Sequence, residues 1–144
     1  MADREDIIDL AVRYAWALDS KQVEVLREVF LPDATAMLRG VQCDGVDAII
    51  ARIGGSILRL DCTQHLISNH QVVVDGDRAT HRCQLQSQHV RDGAEGGSNY
   101  IVGGYYDDRV VRTTDGWRIA HRLMQQTWTE GNPSVVKYEA STPS

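Results

Sequence analysis

From about residue 62 onward the chain is written as four strand-length runs, about 62–74, 78–91, 98–112 and 116–129. Between them stand Asp75-Gly76-Asp77, Asp92-Gly93 through Gly97, and Thr113-Thr114-Asp115-Gly116. Glycine and aspartate reach the positive backbone angles that tight hairpins demand, so consecutive runs are expected to pair as an antiparallel meander. The second run also declares its faces. Ala79, His81, Cys83, Leu85, Ser87 and His89 alternate with Thr80, Arg82, Gln84, Gln86 and Gln88, and a period of two places His81 and His89 together on the inward side. In the first run His65, Ile67 and Asn69 share one parity and Leu66, Ser68 and His70 the other. The last run sets Trp117, Ile119, His121 and Leu123 against Arg118, Ala120, Arg122 and Met124. Neither run has a plainly polar face, and a bulge would change which side is inward.

The N-terminal part follows a different period. Ile7, Leu10, Ala11, Tyr14 and Leu18 fall three and four apart, one face of a helix running from Asp3 to Leu18. Asp19, with Gln22 three residues on, reads as the cap of a second helix carrying Val23, Leu26 and Phe30, which Pro32-Asp33 then stops. Ala34 to Leu38 reads as a short strand, and Asp44-Gly45 leads into a third helix with Val46, Ile49, Ile50 and Ile53 that Gly54-Gly55 weakens or ends. The order is α-α-β-α followed by four strands, an α+β fold in which a curved antiparallel sheet wraps the long first helix and leaves an apolar, cone-shaped cavity. With 144 residues there is room for one core. We expect a single domain over residues 1–131 and a loosely packed tail over 132–144, where Pro133 and Pro143 stand among few apolar residues.

Fifteen lysines and arginines against twenty acids leave a net charge of −5, with the basic residues scattered. That argues against a nucleic-acid footprint and against a polybasic membrane patch. No apolar run approaches the ~20 residues that span a bilayer, and the N-terminus lacks the pattern of a signal peptide, so a cytoplasmic protein is expected. Its partner is expected to be a small, neutral or weakly polar molecule. Cys43, Cys62 and Cys83 form no C-x-x-C pair and read as reduced thiols. Cys62 and His65 make a C-x-x-H with no second pair at ligand spacing, so no metal is expected. A Gly-rich phosphate loop between strand and helix is missing, as is a G-x-S-x-G elbow, so neither a cofactor nor a nucleophile is indicated. Acid–base chemistry remains.

Three residues are candidates for it. Asp19 leaves the apolar face of the first helix at its end, where it either caps the next helix or meets an imidazole. His65 opens the first long strand beside Leu66 and Ile67, as a structural histidine with a satisfied ring or as a base. Tyr14 stands in the apolar stripe, as an amphipathic core residue or as a proton donor.

The passages Tyr14-Ala15-Trp16-Ala17-Leu18-Asp19, Phe30-Leu31-Pro32-Asp33-Ala34, Thr63-Gln64-His65-Leu66-Ile67-Ser68-Asn69-His70, Asp75-Gly76-Asp77-Arg78-Ala79 and Asp115-Gly116-Trp117-Arg118-Ile119 together resemble the SnoaL-like, or nuclear transport factor 2-like, superfamily. The resemblance runs over about residues 6–128 and includes the branch of scytalone dehydratase, bile acid 7α-dehydratase and hexachlorocyclohexane dehydrochlorinase. It implies the same cone and an Asp–His dyad at Asp19 and His65. Tyr14, five residues before the aspartate as in the bile acid enzyme, tilts it toward dehydration. A second pocket histidine is implied at His81 or His89, and the dehydrochlorinase's arginine falls near Arg109 or Arg112. The function implied is a cofactor-independent lyase that removes a proton next to a carbonyl of a hydrophobic cyclic molecule. Candidate walls are Trp16, Leu85, Tyr105, Met124 and Trp128. An isomerase or cyclase of the same proton-abstraction class is the near alternative, and a non-catalytic ligand-binding or assembly subunit the distant one. Relatives of this kind imply a homo-oligomer, trimer or dimer.

Overall fold

Ala2–Asp19 form one α-helix, α1, whose buried residues include Ile7, Leu10, Ala11, Tyr14 and Leu18 of the sequence stripe, with Ala15 and Ala17 beside them. The computed structural model describes residues 2–137. Lys21 ends the helix in a left-handed conformation, φ 59°. The backbone N–H of Gln22 reaches the carbonyl of Ala17 and that of Lys21 the carbonyl of Leu18, the paired bonds that close a helix when its first outside residue is left-handed.

The expected second helix is a single 3₁₀ segment, Val23–Glu28, and the expected cap is absent: Gln22 precedes it and makes no side-chain cap bond. Asp19 lies inside α1, and its carboxylate is engaged elsewhere. The first strand, β1, runs Phe30–Leu38 and so contains Pro32. Its pairing skips from Phe30 to Thr35, and a residue with no N–H is tolerated in such an irregular stretch. A short strand that periodicity did not reveal, β2 (Val41–Asp44), follows through a two-residue turn, Arg39-Gly40, in which both residues have positive φ. Helix α2 then spans Val46–Ile57, passing through Gly54-Gly55 without stopping.

The four long strands are β3 (Cys62–Asp75), β4 (Arg78–Val90), β5 (Asn99–Thr113) and β6 (Gly116–Gly131), paired antiparallel in sequence order. The whole sheet has the order β2-β1-β6-β5-β4-β3, with β1 parallel to β6. It is therefore mixed and not purely antiparallel, because β1 docks on β6 rather than joining the meander.

Bulges decide which side chains face inward. In β3, Ser68 pairs Gln84 and Gln71 pairs Arg82, so Asn69 and His70 together oppose Cys83. Asn69 takes the left-handed conformation, φ 57°, that asparagine tolerates better than most residues. The inward parity thus passes from His65 and Ile67 to His70 and Val72. In β6, Val110 pairs Ile119 but Arg109 pairs His121, so Ala120 is extra and the buried row switches from Trp117 and Ile119 to Arg122. The β4 alternation holds along its length.

Beyond β6, Pro133–Val136 form a 3₁₀ turn with Val135 and Val136 buried. The Asn132 amide donates to the carbonyls of Glu95 and Gly97 in the β4–β5 loop. The packed chain therefore reaches at least residue 136; the rest of the expected tail, 138–144, lies outside the described residues.

Candidate active site

Asp19 sits in the last turn of an 18-residue helix, the negative end of the helix dipole, where a carboxylate is unfavourable. Three donors from β3 compensate. Thr63 Oγ1 donates to Oδ1 at 2.8 Å, the backbone N–H of His65 donates to Oδ2 at 2.8 Å, and His65 Nδ1 lies 2.7 Å from Oδ1. Burial would raise the Asp19 pKa, but the bonds from the His65 side chain and backbone and from Thr63 outweigh it and hold the carboxyl below its usual range. An ionised carboxylate can only accept, so Nδ1 of His65 carries a proton, and in the neutral ring it is Nε2 that holds the lone pair. Among the described residues Nε2 has no hydrogen-bond partner.

The imidazole borders a cavity of about 530 Å³, counting its open mouth. Tyr14 and Leu18 of α1 line one side, Ile53 and Ser56 of α2 another, and Leu85 and Val102 the sheet. His89 stands edge-on to His65 with ring centroids 5.9 Å apart. Burial, with the nearby His65 charge, pushes His89 down to about 4, so it is neutral at physiological pH. Burial pushes the Tyr14 phenol up. Two cations also border the chamber: Arg39, from the β1–β2 turn, and Arg52, from α2.

A second polar cluster lies against Tyr14 and Tyr106. Asp108 receives Arg122 through Nε at 2.7 Å and Nη2 at 2.8 Å, and lies 2.8 Å from His81 Nδ1. The Arg122 guanidinium lies 4.4 Å from the Tyr14 ring centre and 3.9 Å from that of Tyr106. Burial would neutralise Asp108, but the adjacent Arg122 charge holds its carboxyl below the usual range. His81 Nε2 is 2.9 Å from His70 Nδ1. His70, His81 and Cys83 place possible metal-binding atoms within 4.8 Å of one another. Their imidazoles spend the facing nitrogens on each other, and burial raises the Cys83 thiol to about 11.

Of the residues singled out in the sequence, Tyr14, His65, Leu85, His89 and Met124 line the cavity, and Asp19 stands behind His65. Six others do not border it. His81 belongs to the Asp108 cluster. Trp16, two residues from Tyr14 and so on the far side of the helix, is 70% exposed. Tyr105 has the parity opposite to Tyr106 and lies under Arg82 on the outer face. Trp128 pairs with Gly103 and covers it from outside; any side chain at Gly103 would collide with the indole. Arg112 pairs with Asp3 and Asp77 at the surface, and Arg109 is exposed. Arg39 and Arg52, which border the cavity, and Arg122, which packs on Tyr14, are not among the site residues that the sequence suggests. The only signal was their position in otherwise apolar or turn segments.

A SnoaL-like domain model matches residues 1–123. The chain belongs to the SnoaL-like family. This SnoaL-like chain is 33% identical over 127 residues to the uncharacterized protein Rv2910c of Mycobacterium tuberculosis, covering 85% of this chain and 84% of that one. Two Novosphingobium aromaticivorans structures are similar to the SnoaL-like chain. One carries the name Putative Scytalone Dehydratase, with 25% identity, TM-score 0.79, and 89% and 86% of the two chains covered. The other is named as a putative aromatic ring hydroxylase, with 26% identity, TM-score 0.83, and 94% and 96% covered. Hexachlorocyclohexane dehydrochlorinase LinA-type3 of Novosphingobium barchaimii shares the fold at 16% identity, TM-score 0.80, with 92% and 91% covered. The SnoaL-like domain is thus a nuclear transport factor 2-like α+β cone. No helix among the described residues is long and apolar enough to cross a membrane.

Proposed function

We propose that the chain is a cofactor-independent lyase of the dehydratase type, acting on a hydrophobic cyclic small molecule that carries a β-hydroxy carbonyl unit. The observation that carries this reading is the 2.7 Å contact of His65 Nδ1 with Asp19, which leaves Nε2 unpaired beside the cavity. Asp19 fixes the tautomer and steadies the imidazolium; Nε2 takes the proton next to the carbonyl, and the C–H electron pair enters an enolate. The enolate then expels the β-hydroxyl, the C–O bond breaks, and the proton gained by His65 leaves with it as water. Tyr14, its pKa raised by burial, is a poorer acid than imidazolium, so its role is to donate a hydrogen bond and hold the substrate oxygen. Reprotonation at another carbon instead of expulsion of hydroxide would make the same site an isomerase, and product analysis separates the two. Neighbours named for a scytalone dehydratase and an aromatic ring hydroxylase favour a cyclic substrate.

The test is turnover of a panel of cyclic β-hydroxy ketones followed by mass spectrometry for loss of one water. His65→Ala is expected to lower the rate by about 10²–10⁴-fold while the circular dichroism spectrum is unchanged. Turnover that survives this change in a folded protein excludes His65 as the base. We further propose a homo-oligomer, dimer or trimer, because Leu66 and Trp128 are 59% and 44% exposed and share one depression of the outer sheet face.

A further inference from the structure

We infer that the cavity takes an anionic substrate, one whose apolar body carries a carboxylate held jointly by Arg39 and Arg52. This rests on the small-molecule reading above but reverses the expectation of an uncharged ligand that composition alone suggested. Arg39 occupies the first position of a two-residue hairpin turn, with φ 52° and then 76° at Gly40. Such turns are ordinarily built from asparagine, aspartate and glycine, and a left-handed residue of another type carries a backbone cost that persists mainly at functional positions. What the turn achieves here is to send a guanidinium from the sheet edge over the chamber that His65 borders.

Arg52 lines the same chamber from α2. Its Nε is buried and, among the described residues, has no hydrogen-bond partner. Arg39 and Arg52 are the arginines that line this cavity, and neither has an acidic partner among the described residues. Burial, and next the charge of Arg52, lower the Arg39 pKa. Two like charges that bring each other no relief, set in a chamber walled by Leu18, Ile53, Leu85 and Val102, are an arrangement that an anion completes. A planar carboxylate can accept paired N–H bonds from guanidinium groups, while the apolar walls take the rest of the molecule.

The test compares 2-naphthoate with 2-naphthamide, its uncharged isostere, by calorimetric titration of the full chain. Wild type is expected to bind the acid about tenfold or more tightly than the amide, and Arg39→Gln and Arg52→Gln to lose most of that preference while retaining amide affinity. Inorganic phosphate is the competitor that separates an organic carboxylate from a free anion; weak competition is expected. Equal affinity for acid and amide, no binding of either, a preference that persists in the double variant, or phosphate binding as tightly as naphthoate each overturns the inference. His65→Asn is titrated in parallel. An acid preference retained there, whatever the fate of turnover, keeps the anion subsite distinct from the proposed acid–base step.

Discussion

Asp108 and Arg122 bind each other through two hydrogen bonds, at 2.7 and 2.8 Å, with neither side chain exposed at all. Arg122 also fills the space between Tyr14 and Tyr106, so the pair supports one wall of the cavity as well as its own strands. Removing one partner leaves an uncompensated buried charge. Arg122→Met or Asp108→Leu alone is expected to cost about 3–5 kcal/mol, and the two together much less, since the pair's desolvation is then also removed. Urea unfolding midpoints of the two single variants and the double variant read this directly. A double variant as unstable as the sum of the singles would contradict it.

Stability is expected to fall as pH drops from about 6.5 toward 4. His89 is held near 4 by burial in the folded state and titrates near 6.5 when unfolded. Across that interval the unfolded chain binds the extra proton, so the stabilisation is complete above the interval and is lost as the medium becomes more acidic. The full difference is on the order of 3 kcal/mol. His89→Gln is expected to flatten the profile between pH 4 and 6.5, which denaturant titrations at several pH values measure. An unchanged slope would dissociate His89 from it. Asp19, with its pKa lowered, acts at the acid end: its contribution is present above the unfolded value near 3.9 and vanishes as pH falls through the folded one.

Loss of the Asp19 carboxylate frees the imidazole and strands a backbone donor. Nitrogen-15 NMR of wild type, recorded on the neutral His65 ring, is expected to place its proton on Nδ1, and Asp19→Ala to give a mixture or the Nε2–H form. Because Asp19 accepts from Thr63, the His65 backbone and the His65 ring, the same change is expected to destabilise by about 1–3 kcal/mol. A His65 tautomer indifferent to Asp19 would remove the basis of the proposed mechanism.

Association in solution is expected to depend on the outer sheet face. Light scattering at micromolar concentration should give a mass of two or three chains for wild type. Leu66→Gln with Trp128→Gln should give one. A monomeric wild type rejects the proposal; an oligomer untouched by these changes moves the contact to another surface.

Much of the architecture was written in two periodicities. The stripe of Ile7, Leu10, Tyr14 and Leu18 and the alternation from Ala79 to His89 kept their meaning in three dimensions because each lies in one uninterrupted element. The second helix misled because Asp19 and Gln22 have capping chemistry, but Asp19 is bound by residues 46 positions away at the start of β3. Spacing carries no trace of so distant a contact; the family resemblance does. Trp16, Tyr105 and Trp128 were attractive as walls by residue type alone; which side they face depends on helix phase and on strand parity. Arg39 was unreadable because a turn residue belongs to neither period, and Arg122 because an inserted residue two positions earlier reverses the side it takes.

The extra Ala120 gives the interior an unusual kind of control. Ordinary alternation after Ile119 would have turned His121 and Leu123 toward the chamber and sent Arg122 to solvent, so a charge or an apolar row is selected by chain length, with no change in residue identity. Slipping a single amino acid into or out of β6 would thus exchange a whole inward row at once, which no single replacement of a side chain does. Lengthening and shortening of strands then become a form of chemical variation in their own right.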